Sequence, residues 1–282
     1  MLATSNNRSC KTDKLLVFLH IPKAAGTTLN GIINQQYNRQ SLFRFDGINN
    51  HHLFTKLPLE KQNKVQLLRG HFAFGVHQFI FRPCTYFTVL RNPIRRVISQ
   101  YKYIRNNPQH PQSKLLQSIT IEEYISREKQ ALCNQQTNMI CGLSTPKDCH
   151  FSQRLKIAQD NLDRHFAVVG VTDMFDETLL MLRKEFNWNI PYYIQQNTGK
   201  KPNSVKCVSS KTIALIEKYG ELDLQLYHQA RKNLETKISQ QGESFQKELA
   251  LQKQINSCYQ PFGNLYSNLR HIVLKHILKK YK

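Results

Sequence analysis

The stretch that most limits what this chain can fold into is Leu15-Leu16-Val17-Phe18-Leu19, followed at once by His-Ile-Pro-Lys-Ala-Ala-Gly-Thr-Thr and then by Leu29, Ile32 and Ile33. A run that is apolar at every position suits a strand buried on both faces, as in a parallel sheet covered by helices. The three- and four-residue spacing after it is that of a helix face. Strand, tight turn and helix in that order leave the first N–H groups of the helix unpaired, with the positive end of its dipole at the turn. An anion binds well there.

Further strands are expected at Val65 to Leu68, Tyr86 to Leu90 and Phe166 to Val171, each bounded by Gly, Pro or charged residues. Helical periods lie between and after them: Ile94, Val97, Ile98 and Tyr101; Leu155, Ala158 and Leu162; Leu179, Leu180, Leu182 and Phe186. Strands alternating with helices indicate an α/β domain. From about Lys211 to Lys253 the pattern is almost wholly helical. The organisation expected is a flexible N-terminus over 1–13, a main domain over 14–240, and a basic helical extension over 241–282. The last helix of that extension, from Leu269, is expected to pack its apolar stripe on the domain. The alternatives are contact with a membrane surface or nucleic acid.

Composition narrows the partners. Lysine and arginine total 40 of 282 residues against 19 acidic ones, a net charge of +21, which favours anions. No run of 18 apolar residues occurs, and the N-terminal residues lack the apolar core of a secretory signal. The seven cysteines are scattered without a CxxC pair, which fits a reducing compartment. Cys133, Cys141, Cys149 and His150 have spacings that match no usual zinc pattern, so no metal is expected. A pairing of Cys141 with Cys149 stays open.

Two turns carry the candidate chemistry. In Pro22-Lys23-Ala24-Ala25-Gly26-Thr27-Thr28, small residues let the main chain approach an oxyanion, two hydroxyls donate, and Lys23 supplies a mobile charge. The lysine precedes the glycine, whereas in a Walker A loop it follows it, and no carboxylate nearby reads as a magnesium ligand. A nucleoside triphosphatase is disfavoured on that order. In the second unit, Tyr86-Phe87-Thr88-Val89-Leu90 runs into Arg91, and Pro93 suits the first turn of a helix. Ser99, just over two turns beyond Arg91, lies off the apolar face, so guanidinium and hydroxyl can share one phosphate. Arg95 and Arg96 are expected to add to the local positive potential.

Taken together, LHIPKAAGTT, RGHFAFGVHQF, YFTVLRNPIRRVISQYKY and NLDRHFAVVGVTDMFDETLLMLRKEFNW resemble sulfotransferase family 2, which includes glycan O-sulfotransferases of animals and bacterial relatives. The resemblance runs from about residue 14 to about residue 230. It implies a P-loop-kinase-like parallel sheet flanked by helices, with a mostly helical C-terminal region. It also implies an enzyme that uses 3′-phosphoadenosine 5′-phosphosulfate (PAPS) without a metal.

By that resemblance Lys23, Ala24, Ala25, Gly26, Thr27 and Thr28 bind the 5′-phosphosulfate, and Arg91 and Ser99 hold the 3′-phosphate. His71, of the Gly70-His71 pair, is the catalytic base, and Lys23 stabilises the leaving phosphate. Lys200, within Asn197-Thr198-Gly199-Lys200, belongs to a late loop over the nucleotide. The chain departs from the family at Ala24-Ala25, often two glycines, and at Asn92, often aspartate. It departs again at Asn138, where an arginine commonly follows Thr137 in a region tied to the acceptor.

Sulfuryl transfer gathers charge on the bridging oxygen of the leaving phosphate, so a lysine and a helix N-terminus there are what the chemistry needs. An alcohol needs a base, and histidine can take that proton near neutral pH. His77 and His20 are the alternatives to His71. The acceptor expected is a hydroxyl compound, with the excess positive charge favouring an acidic glycan. The rival readings are a basic nucleic-acid-binding protein and a P-loop kinase; no nucleic-acid partner is expected, since the basic residues form no known reader motif. A cytoplasmic, bacterial-type enzyme is expected, unless the chain is part of a longer one.

Overall fold

The computed structural model describes residues 14–142, 145, 149–193 and 208–259. In chain order these form β1 (Leu15–Leu19), α1 (Gly26–Gln36), β2 (Leu42–Arg44), α2 (His52–Thr55), α3 (Leu59–Lys64), β3 (Leu67–Gly70) and β4 (Cys84–Leu90). There follow α4 (Pro93–Arg105), α5 (Ser113–Ser118), α6 (Ile121–Leu132), α7 (Gln135–Cys141), α8 (Phe151–His165) and β5 (Phe166–Val171). The remainder is helical: α9 (Phe175–Phe186), α10 (Ser210–Tyr219), α11 (Glu221–Ser239) and a helix over 242–259, here α12.

All four strand pairings are parallel, and the order across the sheet is β2-β3-β1-β4-β5. The five residues of β1 are all buried, as a central strand covered on both faces requires. Leu16 and Phe18 face Leu29, Ile32 and Ile33 of α1 and Leu179 and Leu182 of α9. Leu15, Val17 and Leu19 share the opposite core with Ala158 of α8, Leu226 and Ala230 of α11, and Phe245 of α12. Each leucine so enclosed contributes about 1.5–3 kcal/mol. A third cluster joins Val97, Ile98 and Tyr101 of α4 to Tyr124 and Ile125 of α6 and Ile216 of α10.

The connection leaving β1 runs toward β2 on one side, and the connection leaving β4 runs toward β5 on the other. Adjacent parallel strands whose chains depart in opposite directions open a crevice at their carboxyl ends. The turns after β1 and β4, the two candidate anion sites, lie at that edge.

Several details depart from the expectation. The strand expected at Val65 to Leu68 begins two residues later: Val65 caps the end of α3, and β3 runs on through Arg69 and Gly70. The helical stretch after Lys211 is broken at Gly220 and again at 240–241. The edge strand β2 carried no readable period. Phe245 and Leu249 of α12 lie in the same core as β1, and Arg183 and Lys184 of α9 both pair with Glu248. The basic helix from Leu269 lies outside the described residues. No helix among those described is long and apolar enough to cross a membrane.

Candidate active site

Three strand ends position the candidate residues. At the end of β1 the chain turns through Lys23 (φ 67°) and Ala25 (φ 59°), both left-handed, before α1 begins at Gly26. Positive φ is costly for residues with a Cβ, by about 1–2 kcal/mol each. Side chains therefore occupy positions where the backbone suits glycine, so alanine at position 25, where the family often has glycine, is a strained choice. The helix start that follows is bare: Ala25 offers no side-chain cap and the first turn of α1 holds no acidic residue. Its N–H groups and dipole are thus neither capped nor neutralised by side chains of that turn.

Gly26 is required for space. A Cβ there would lie 1.5 Å from Nε2 of His20, whose ring fills the volume beneath the turn. His20 stacks on Phe18 at 5.2 Å between centroids, Phe18 stacks on Phe87 at 5.0 Å, and the His71 ring sits 4.1 Å from that of His20. Burial, with the nearby His71 and Arg44, pushes the His20 pKa down to about 3, so its ring is neutral and a poor base.

His71 follows β3 directly and is fixed by two contacts. Its backbone N–H donates to Oδ1 of Asp46 at 2.8 Å, and its Nδ1 lies 2.7 Å from the His20 carbonyl oxygen. A carbonyl only accepts, so Nδ1 carries the proton and the lone pair of the neutral ring is on Nε2. The preceding Gly70 admits no side chain, since a Cβ would meet the Phe45 carbonyl oxygen at 1.6 Å. Burial alone would raise the Asp46 carboxyl, but the His71 N–H and the Arg44 guanidinium hold it below its ordinary value. His77 lies elsewhere: its Nδ1 meets the Tyr86 hydroxyl at 2.9 Å, and its ring stacks on His165, near the start of β4.

At the end of β4, Arg91 is held by its main chain. Gln136 accepts from the Arg91 N–H and donates to the Arg91 carbonyl, each at 2.9 Å. The Arg91 guanidinium reaches across and donates to the Lys23 carbonyl at 2.8 Å, joining the two turns directly. The Lys23 ammonium lies 3.9 Å from the centre of the Tyr103 ring, on α4 one turn beyond Ser99. Burial, then the Arg91 charge, lowers the Lys23 pKa. Asn92 caps α4 by accepting from the Arg95 N–H, and Pro93 occupies the first turn. Asparagine thus supplies the cap that an aspartate would.

Arg96 corrects the sequence reading. It is fully buried, donates to Gln135 at 2.6 Å and to the Leu132 carbonyl, and has its Nε 3.9 Å from Asp223. Asp223 in turn accepts from the N–H groups of Gln136 and Thr137 and from the Thr137 hydroxyl. Arg96 is therefore a structural tie between α4, α7 and α11. Arg95 pairs with Asp173 at 3.2 Å.

Lys23 through Thr28, His71 and Arg91 are thus brought to one sheet edge, and Ser99 is half-buried on α4, one turn before Tyr103. Lys200 lies outside the described residues. Asp46, Tyr103 and Gln136 were missed; only Tyr103, four residues after Ser99, left a helical-spacing signal. Cys84, Cys133, Cys141, Cys149 and Cys258 are free thiols, so Cys141 and Cys149 are unpaired. Among the described residues no His, Cys, Asp and Glu group is arranged to hold a metal.

A parallel α/β sheet with an uncapped, glycine-opened turn after its central strand defines a protein of the P-loop-like class. Within that class, residues 9–170 match the family model described as "Sulfotransferase family", and the chain belongs to that family. It is similar to heparan-sulfate 6-O-sulfotransferase 2 of Gallus gallus, 23% identical over 175 residues, covering 52% of this chain and 43% of the relative. The match thus spans less than half of that relative's length. A crystal structure of mouse sulfotransferase SULT7A1 complexed with PAP aligns with a TM-score of 0.40 and 11% identity over 76% of this chain and 66% of that one. That likeness is too loose to assign anything.

Proposed function

We propose that the protein transfers a sulfuryl group from PAPS to a hydroxyl of a glycan. The observation that carries the reading is the Arg91–Lys23 hydrogen bond, which joins two basic turns at adjacent strand ends. The fit to the donor rests on the bare start of α1, whose first N–H groups meet neither a side-chain cap nor an acidic residue of that turn. PAPS supplies the activated SO₃ unit and a phosphate leaving group.

In this reading the N–H groups at the start of α1, with Thr27 and Thr28, bind the 5′-phosphosulfate. Lys23 swings from Tyr103 to neutralise charge on the bridging oxygen. Arg91, which has guanidinium donors beyond the one spent on Lys23, and Ser99 hold the 3′-phosphate. Lys200 closes over the nucleotide. His71 accepts the acceptor's proton at Nε2, because its Nδ1–H is committed to the His20 carbonyl.

The test has two arms. Adenosine 3′,5′-bisphosphate should stabilise the protein against heat, by about 2.7 kcal/mol at a hundredfold excess over its dissociation constant. Incubation with labelled PAPS and a panel of glycans, lipids and small alcohols, read by mass spectrometry, should show SO₃ gained by a glycan. ATP turnover with Mg²⁺, or stabilisation by duplex DNA in place of the bisphosphate, would overturn the reading.

A further inference from the structure

At the β2 side of the sheet, beside β3, lies a cavity of about 410 Å³ whose wall includes Asn34 of α1, Tyr37 just past the end of that helix, Arg39, Arg44 and Arg69. Its size is in the range of small-ligand sites. Three of its lining residues are arginines. Arg44 and Arg69 are direct partners in the β2–β3 register, so two like charges stand side by side on one face of the sheet. Such pairs are unfavourable unless something negative separates them. Among the described residues the arginines find one carboxylate, Asp46, on Arg44 at 3.0 Å. Arg69 donates to the Asn30 carbonyl at 3.4 Å, and its buried Nε has no hydrogen-bond partner among the described residues. Burial and the Arg44 charge both disfavour the charged form of Arg69.

Across the sheet the order of strands sets out a line. Arg44 and Arg69 stand on β2 and β3, His71 at the end of β3, Lys23 after β1, and Arg91 after β4. The carboxylate of Asp46 bridges the cavity to the base, accepting from Arg44 through one oxygen and from the His71 N–H through the other. We propose that this cavity is an acceptor-side anion subsite: it seats a sulfate or carboxylate substituent of an acidic saccharide and sets a hydroxyl of the same molecule before His71. The proposal rests on the sulfotransferase reading above for its second half, while the binding of the anionic saccharide stands by itself.

The experiment is calorimetric titration of the full chain, with and without adenosine 3′,5′-bisphosphate. The titrants are a fully sulfated heparin-type hexasaccharide, uncharged maltohexaose, and inorganic sulfate. The variant Arg39→Gln/Arg44→Gln alters two exposed arginines and spares the half-buried Arg69. Its control, Lys232→Gln/Lys237→Gln, removes the same charge from α11.

The expected result is at least tenfold weaker hexasaccharide binding by the first variant and a change within twofold in the control. Bisphosphate affinity should be retained in both, which also shows that they fold, and maltohexaose should bind neither. Equal losses in the two variants would reduce the effect to the general field of the protein and overturn the proposal, as would no loss in either. Arginine-dependent binding of inorganic sulfate without arginine-dependent binding of the hexasaccharide would overturn the acceptor role. Failure of the wild type to bind the bisphosphate, with hexasaccharide binding intact, would sink the sulfotransferase reading and leave the subsite standing.

Discussion

The two basic turns at the ends of β1 and β4, one with a single lysine and one with three arginines, differ in what their charges are free to do. After β1, the Lys23 ammonium rests on an aromatic face, and the helix start beside it is uncapped. After β4, a higher local density of positive charge is largely spoken for. Arg96 is buried against Asp223, Arg95 pairs with Asp173, and Arg91 spends one donor on the neighbouring turn. A cluster of arginines thus becomes an anion site only to the extent that internal carboxylates and carbonyls leave it unsatisfied. By that criterion the first turn keeps its N–H groups and its ammonium clear of internal carboxylates, and the second is mostly scaffold.

The sharpest way to break this contrast is Arg96→Ala. Removing one member of a buried pair should cost about 3–5 kcal/mol in denaturant unfolding, because Asp223 is left without its guanidinium. A loss below 1 kcal/mol would show that Arg96 is not structural. Next in size, Lys23→Ala and His71→Ala should each lower kcat by about 100-fold or more while the unfolding midpoint stays near that of the wild type. Activity within fivefold of wild type would remove either from its role. Arg91→Ala should fall between the two behaviours: binding of adenosine 3′,5′-bisphosphate should weaken about tenfold more than binding of 5′-AMP, with some loss for both through the Lys23 carbonyl. Equal losses would confine Arg91 to scaffolding. Smallest, Ala25→Gly should stabilise by about 0.5–1 kcal/mol, since the backbone there is left-handed; a lower melting temperature would contradict that.

Local signals were the legible ones. The buried run of β1, the proline opening α4 and the strand at Phe166 all announce themselves within a few residues. Val65 reads as strand because it is β-branched and apolar, yet its burial comes from closing α3, and the charge on Arg69 hid the true end of β3. β2 is three residues long and sits at an edge, too short for a period. Arg96 was misread because its partner Asp223 lies far along the chain, and adjacency to Arg95 suggested a shared exposure that the fold denies. Asp46 was silent for the same reason: only the pairing of β2 with β3 brings it to His71.

The rings of Phe87, Phe18, His20 and His71 form one continuous column from the middle of the molecule to its reactive edge. The imidazole's pose therefore depends on the apolar rings beneath His20 as well as on its own hydrogen bond to the His20 carbonyl. A mutational screen restricted to polar residues would overlook this, while a change as mild as Phe87→Leu, three layers down, would let the top of the stack tilt.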